Sequence, residues 1–146
     1  MQAQITKTGK QDAPKASEYE EQCLLFEWTK IMQAQIPQLG MLLAIPNGAK
    51  LSWRRNAKGQ RYSSEARRLL KSGLSPGAPD IALFCPNAKY HALFIELKVG
   101  KNKPTQAQID WITALLYYGY DARVCYGWLA AKAAILEYLG VDEDGI

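Results

Sequence analysis

The chain has 146 residues, of which 48% are hydrophobic and 22% are charged, and its formal net charge is +4. This balance fits one domain with a sizeable core and argues against a second domain. No apolar run approaches the roughly 20 residues that cross a bilayer, and the first ten residues lack an apolar leader segment, so we expect a cytoplasmic protein without membrane contact.

The N-terminal part is predicted to be a tail followed by a helix. Residues 1–15 are polar and lack apolar periodicity, which is typical of a flexible tail. Ser17 and Glu20 then form a capping box, which predicts the start of a helix. Apolar residues recur behind it at helical spacing, at Leu24, Leu25, Trp28, Ile31 and Met32.

The middle of the chain is predicted to contain a strand, a loop and a second helix. Residues 41–45 are apolar and should form a buried strand that ends at the turn Pro46-Asn47-Gly48. Residues 49–60 should form an exposed loop. A basic helix should then begin at Ser63 or Ser64.

The C-terminal part is predicted to contain three strands and two helices. Two apolar runs, at about 79–85 and 91–99, are joined by a polar turn and should form a hairpin. A helix should open at "KNKPTQAQ" and run through Tyr118. Residues 121–126 should form a further strand, and residues 129–139 a last helix.

This order of elements predicts an α/β fold in which a small mixed β-sheet is flanked by helices. We assign residues 16–140 to a single domain. The remaining residues, 141–146, are predicted to be a short acidic tail.

Charged residues inside the predicted hairpin are the main functional signal. Side chains alternate along a strand, so Glu96 and Lys98 share one face. If the turn is centred on Ala88, Asp80 lies directly opposite Glu96. Such paired carboxylates, with Cβ atoms about 5 Å apart, are destabilising unless a cation lies between them, and carboxylate oxygens are preferred ligands of hard divalent cations. An edge hairpin with a solvent-facing Glu96–Lys98 pair is the alternative interpretation.

Three polar residues on the predicted helices bear on this site. Glu21 lies in line with the apolar stripe of the first helix, so it is a candidate third metal ligand. Glu18, one turn earlier, is the alternative, and a first-turn acid that the helix dipole favours is the non-functional explanation. Gln108 follows Thr105 in a second capping box and is a candidate site residue, although the local cap would explain it as well.

A basic segment, residues 50–71, carries a single acid, Glu65. With Trp53 and Tyr62 interleaved, it suits a phosphate backbone, so we predict DNA binding there; a solvated basic surface is the alternative. The predicted DNA-binding residues are Lys50, Arg54, Arg55, Lys58, Arg61, Arg67, Arg68 and Lys71.

Several segments together resemble a known family. "APD", fifteen intervening residues and "ELK" resemble the PD-(D/E)XK nuclease signature. The segments "EEQCLLFEW", "AIPNGAK", "LKSGLSPGAPDIALF" and "HALFIELKVGKNKPTQAQIDWITALLYYGYDARVCYG" are similar to the virus-type replication-repair nuclease domain, VRR-NUC, in its stand-alone form. One departure is Ala49, where the family usually has a second glycine.

The resemblance implies a restriction-endonuclease-like core and a structure-specific DNA endonuclease that depends on Mg2+ or Mn2+. It implies metal ligation by Glu21, Asp80, Glu96 and the backbone carbonyl of Leu97. A catalytic role is implied for Asp80, Glu96, Lys98 and Gln108.

The resemblance also implies partners. Branched DNA such as a Holliday junction is the expected substrate, and a homodimer is the expected assembly, without an organic cofactor. If the protein is phage-encoded, the host cytoplasm is its expected compartment. A catalytically silent DNA-binding protein of the same fold and a flap or single-strand nuclease are the alternatives.

Overall fold

The computed structural model describes residues 16–46 and 54–143. Several predictions lie outside the described residues: the tail at 1–15, the turn after Pro46, Lys50, and the end of the acidic tail. The same holds for the side chain of Arg61.

Helices form where capping signals and apolar periodicity predict them. The described α-helices are α1 (Glu18–Met32), α2 (Ser64–Lys71), α3 (Gln106–Tyr117) and α4 (Trp128–Leu139), and a short 3-10 helix spans Pro37–Met41. Both predicted capping boxes are present, at Ser17 with Glu20 and at Thr105 with Gln108. No described helix is long and apolar enough to cross a membrane.

The strands form a small mixed sheet and a separate hairpin. They are β1 (Leu42–Ala44), β2 (Arg54–Arg55), β3 (Arg61–Tyr62), β4 (Ile81–Leu83), β5 (Leu93–Lys98) and β6 (Asp121–Tyr126). In the described part of the chain, the main sheet has the order β1-β4-β5-β6, and β2 pairs only with β3. The first two pairings are antiparallel and the β5–β6 pairing is parallel. The predicted α/β fold with a small mixed sheet is thus confirmed.

The connection between β4 and β5 fixes their register through Asn87. The Asn87 side-chain oxygen accepts hydrogen bonds from the N–H groups of Lys89 and Tyr90, each at 2.8 Å. The Asn87 amide donates to the carbonyl of Tyr138 in α4 at 3.0 Å. This anchored turn leaves Ile81 opposite Ile95.

The two faces of the sheet are covered by different helices. Leu93, Ile95 and Leu97 belong to one buried cluster with Leu25 of α1 and Ile135 of α4. Because side chains alternate along β5, its other residues point to the opposite face, toward α3. The sheet therefore has α1 and α4 on its core side and α3 on the side that carries Glu96 and Lys98.

The structure corrects two predictions in the middle of the chain. The strand predicted at 41–45 is an edge strand rather than a buried one, because Leu42 is buried while Leu43 and Ala44 are exposed. The loop predicted at 49–60 contains β2 and leads into β3. Asn56 holds this hairpin together, since its side-chain oxygen accepts hydrogen bonds from Lys58 N–H and Gln60 N–H.

Candidate active site

Asp80 immediately precedes β4, and its side chain hydrogen-bonds to the backbone of the neighbouring strand β5. Its Oδ2 accepts a 2.9 Å hydrogen bond from the N–H of Leu97. Its own carbonyl accepts a 2.7 Å hydrogen bond from the N–H of Ile45. The pairing of Ile81 with Ile95, extended by one residue, places Asp80 opposite Glu96, as the alternation pattern predicts.

Glu96 is the centre of a buried polar cluster. Its residue surface is 1% exposed, and its Oε1 accepts a 2.7 Å hydrogen bond from Lys98 Nζ. The amide nitrogen of Gln108 also donates to Oε1. Gln108 thus contacts Glu96 with its side-chain nitrogen, and it also caps α3, because its side-chain oxygen accepts the N–H of Thr105.

Glu18 is the first-helix acid that the structure brings to this cluster. Its Oε1 lies 3.8 Å from Lys98 Nζ and 3.5 Å from the side-chain nitrogen of Asn102. Asn102 was not predicted as a site residue. No local pattern signals it, because its contact with Glu18 joins residues 84 positions apart.

Glu21, the acid favoured by the apolar stripe of α1, has a different partner. Its Oε2 accepts a 2.7 Å hydrogen bond from the N–H of Trp128, the first residue of α4. The expected grouping of Glu21 with Asp80 and Glu96 is therefore replaced by a grouping that contains Glu18. Helical spacing puts Glu18 and Glu21 near one face but does not say which of them meets the end of the sheet.

Burial and mutual repulsion dominate the electrostatics of the carboxylates. Burial raises the pKa of Glu96 to about 7. The hydrogen bond from Lys98 lowers this pKa, whereas the negative charge of Asp80 raises it further. Burial likewise raises the pKa of Asp80, although the Leu97 N–H opposes it. Burial alone would lower the pKa of Lys98, but its hydrogen bond to Glu96 and the nearby carboxylates raise it overall. Lys98 is therefore an ammonium group at neutral pH.

The donor atoms of this cluster suit a hard divalent cation. Glu96 Oε2 is buried and has no hydrogen-bond partner among the described residues. Such an orphaned carboxylate oxygen is costly unless a cation binds it or the group takes up a proton, and the raised pKa of Glu96 reflects this cost. No group of three or more His, Cys, Asp or Glu in the described ranges forms a metal cluster by itself. A cation here would need further oxygens besides the two carboxylates.

The backbone of Leu97 offers one such oxygen. In an extended strand the N–H and C=O of one residue point to the same side. The N–H of Leu97 points toward Asp80, whereas the carbonyl of Lys98 points the other way and accepts the N–H of Gly127 at 2.9 Å. The carbonyl of Leu97 therefore lies on the Asp80 side of β5.

The segment that leads into Asp80 is packed directly on α3. Gly77 has a φ of +88°, and a Cβ built on it would lie 2.5 Å from the backbone carbon of Ala107. The indole nitrogen of Trp111 donates a 3.2 Å hydrogen bond to Ser75. This close approach packs the segment that leads into Asp80 against α3, the helix that carries Gln108.

The predicted DNA-binding residues that the structure describes are exposed. They are Arg54, Arg55, Lys58, Arg67, Arg68 and Lys71. The first three lie on the β2–β3 hairpin and the last three on α2. Charged side chains at exposed positions are available to a polyanion.

In this mixed α/β sheet, the half-buried Asp80, immediately before β4, lies opposite the buried Glu96 of the antiparallel strand β5, which also carries the buried Lys98. The family model of the VRR-NUC domain matches residues 25–128. The chain belongs to this family, which is a family of nucleases, and a nuclease domain implies DNA as the substrate.

A solved structure described as a VRR_NUC domain protein has the same fold. Its TM-score with this chain is 0.69 at 24% sequence identity, over 88% of this chain and 93% of that one. A search of curated proteins finds no significant match.

Proposed function

We propose that the protein is a divalent-metal-dependent, structure-specific endonuclease that hydrolyses phosphodiester bonds in branched DNA such as Holliday junctions. The observation that carries this proposal is the cluster of the half-buried Asp80 with the buried Glu96 and Lys98, in which one carboxylate oxygen of Glu96 has no hydrogen-bond partner among the described residues. A protein that only binds DNA has no need of a buried carboxylate without a hydrogen-bond partner.

The metal ligands in this proposal are Asp80, Glu96 and the carbonyl of Leu97, with Glu18 in the place that the sequence pattern assigned to Glu21. Mg2+ or Mn2+ would supply an activated water molecule and neutralise charge on the phosphoryl group. Without a cation, burial raises the pKa values of both carboxyl groups, as expected for carboxylates that share a site made for a positive ion.

The remaining site residues orient the carboxylates and balance their negative charge. The Lys98 ammonium is held by Glu96 at 2.7 Å and faces Glu18 at 3.8 Å. A fixed ammonium of this kind stabilises negative charge that develops on a phosphoryl oxygen. Gln108 donates to Oε1 of Glu96, whereas Oε2 has no hydrogen-bond partner among the described residues. The side-chain amide of Asn102 likewise donates to Glu18.

DNA would be held by the β2–β3 hairpin and α2. Residues 54–71 hold seven Lys or Arg and one acid, and their described members are exposed. Neutralising phosphates with such residues releases counterions, which supplies affinity that does not depend on sequence.

A homodimer would let two such sites cut strands related by a two-fold axis. Of the aromatic residues near the end of α3, Tyr117 is 82% exposed and Tyr118 is 69% exposed, and Leu116 beside them is 48% exposed. Tyr120 instead packs on Phe94 within the domain. We propose the exposed end of α3 as the dimer surface.

The experiment compares four-way-junction, flap, single-stranded and matched duplex DNA with Mg2+, Mn2+ or EDTA, with the oligomer mass measured alongside. We expect metal-dependent cutting near the branch point. Lys98→Ala and Asp80→Asn should each lower cleavage at least 100-fold, the scale of losing one charge-stabilising group, with little change in junction binding.

The matched control is Lys30→Ala, which removes an exposed lysine in the last turn of α1. It should cleave like the wild type. Full cleavage by Lys98→Ala in Mg2+ would refute the catalytic assignment. Metal-independent binding without any cutting would instead identify a catalytically silent DNA-binding protein, and a preference for flap or single-stranded DNA would replace the junction assignment.

A further inference from the structure

A cleft of about 600 Å³ lies beside the candidate active site. It is formed by the start of α1, the loop from β5 to α3 and the junction of β6 with α4, with Tyr126, Lys101, Asn102 and Glu21 among its lining residues. It opens at the carboxyl ends of the parallel strands β5 and β6, where α/β sheets commonly bind ligands. Its volume is in the range of pockets that hold small organic groups.

The cleft and the active site share one backbone framework. Tyr126 is the register partner of Lys98 on the neighbouring strand. The next residue, Gly127, donates its N–H to the carbonyl of Lys98 at 2.9 Å. Asn102, another lining residue, lies 3.5 Å from Glu18, which in turn lies 3.8 Å from Lys98 Nζ. A group bound in the cleft would therefore lie next to the backbone of Lys98.

The lining groups suit a nucleobase better than a phosphate. Tyr126 is 48% exposed, so a large part of its ring is available for stacking. The carboxylate of Glu21, held by the N–H of Trp128 at 2.7 Å, repels a phosphate and favours the amino group of a base. The Asn102 side chain can both donate and accept hydrogen bonds.

A lysine at the rim of the cleft can bind the phosphate of the same nucleotide. Lys101 is exposed on the loop that follows β5, a loop closed by the 3.2 Å hydrogen bond from Asn102 N–H to the carbonyl of Val99. Its ammonium can reach a phosphate outside while the base lies inside. A base unpaired at a branch point costs less to extract than one in a continuous duplex.

We propose that this cleft binds one unstacked nucleobase next to the cleaved phosphate, stacked on Tyr126. The proposal rests on the proposed function, because it assigns the cleft to the substrate of the same active site. It makes Tyr126 a substrate-binding residue that selects branched DNA over continuous duplex.

The test uses Lys98→Ala protein, so that binding is measured without cleavage. Four-way junctions carry one 2-aminopurine at successive positions around the branch, and its fluorescence reports whether that base is stacked. At one position, binding should change the fluorescence, and adding Tyr126→Ala should change the signal again while adding Tyr126→Phe should not.

An abasic site at the same position then isolates the contact. It should weaken binding roughly tenfold, as expected for one lost stacking contact. In Tyr126→Ala protein the abasic site should have no further effect, because the two changes remove one interaction. Asn102→Ala should lower the abasic penalty by a smaller factor.

The matched control is Phe84→Ala, which truncates an aromatic residue of similar exposure, 46%. Phe84 directly follows β4, whereas Asp80 directly precedes it. It should leave both the fluorescence change and the abasic penalty intact. Equal abasic penalties in the wild-type and Tyr126→Ala backgrounds, or an identical effect of Phe84→Ala, would overturn the proposal.

The outcomes separate the two proposals. Junction cleavage without any Tyr126-dependent signal would refute the base site and leave the nuclease assignment standing. A Tyr126-dependent signal in the Lys98→Ala protein, together with no cutting of any DNA by the wild-type protein, would support the base site and refute the nuclease assignment.

Discussion

Glu96 has two carboxylate oxygens with different surroundings. Lys98 and Gln108 donate to Oε1, whereas Oε2 is buried without a hydrogen-bond partner among the described residues. Burial and the nearby Asp80 raise its pKa to about 7, from an ordinary value of 4.5. The folded protein without metal therefore binds the Glu96 proton more tightly than the unfolded chain does.

This difference predicts a pH-dependent stability in the absence of metal. Below pH 4.5 the carboxyl group is protonated in both states, and between 4.5 and about 7 only the unfolded chain ionises. The contribution of Glu96 to stability is thus lost as the pH rises through this window and stays constant above it. In EDTA, raising the pH from 5 to 8 should cost roughly 2 kcal/mol, or about 5 °C in Tm.

Thermal unfolding in EDTA at several pH values checks this expectation, with Glu96→Gln as the control. The variant has no titratable group at this position, so its Tm should decline less between pH 5 and 8 than that of the wild type. Parallel pH profiles for the two proteins would contradict the assignment of a raised pKa to Glu96.

Single residues of the site could be predicted from the sequence only where local geometry decides them. Asp80 and Glu96 were predicted to face each other because strand alternation and the turn fix that pairing. The apolar stripe favoured Glu21 over Glu18, whereas the structure brings Glu18 to Lys98. Which of the two acids reaches the site depends on where α1 begins relative to β5, which is a tertiary property. Asn102 was missed for the same reason.

At the scale of elements, α4 begins without a side-chain cap from its own N-cap residue. That residue is Gly127, which has a φ of +82°, and a Cβ on it would lie 3.3 Å from Glu21 Oε2. Glu21 of α1 instead accepts the N–H of Trp128. The start of α4 is thus capped by a different helix, which also fixes α1 against α4.

Removing this cap should lower the stability of the fold. Glu21→Ala leaves the N–H of Trp128 without its acceptor and removes a negative charge from the positive end of α4. A loss of about 1 kcal/mol is typical for a lost N-terminal cap. Thermal unfolding should therefore show a Tm lower by about 3 °C.

Glu27→Ala is the control for this change, because Glu27 is an exposed acid on the same helix. Its Tm should remain within about 1 °C of the wild type, as for most surface substitutions. Equal Tm values for Glu21→Ala and the wild type would show that the contact with α4 contributes nothing.

The sequence predicts which segments form helices and strands better than it predicts the order of the strands in the sheet. The helices at Ser17 and Thr105 carry complete capping boxes, which are local signals. The predicted strand at 41–45 has an apolar composition that does not reveal its place at the edge. Strand order arises from pairings between distant segments, so an edge strand and a central strand can look alike in sequence.

At the scale of the whole molecule, positive charge is concentrated in one segment. Residues 54–71 have a surplus of six positive charges, whereas the entire chain has a surplus of only four. The rest of the chain is therefore negative overall, and the acids of the candidate active site are among its charges. A DNA backbone should approach along the β2–β3 hairpin and α2, because elsewhere it meets a net negative surface.

Substituting two arginines of α2 tests this charge distribution through the salt dependence of binding. Arg67 and Arg68 are both exposed, and each phosphate contact contributes about 0.9 to the slope of log K against log salt concentration. The double variant Arg67→Ala/Arg68→Ala should therefore reduce the magnitude of that slope by nearly 2. Fluorescence anisotropy with duplex DNA between about 50 and 200 mM salt measures it.

A control of equal charge separates local contacts from net charge. Lys30→Ala/Lys89→Ala also removes two positive charges, from exposed positions outside residues 54–71. It changes the net charge by the same amount but breaks no predicted phosphate contact, so its slope should match the wild type. Counterion release counts only the phosphates that the protein neutralises by contact, so only the arginine variant should change the slope. Equal slopes for the two double variants would contradict phosphate contacts by Arg67 and Arg68.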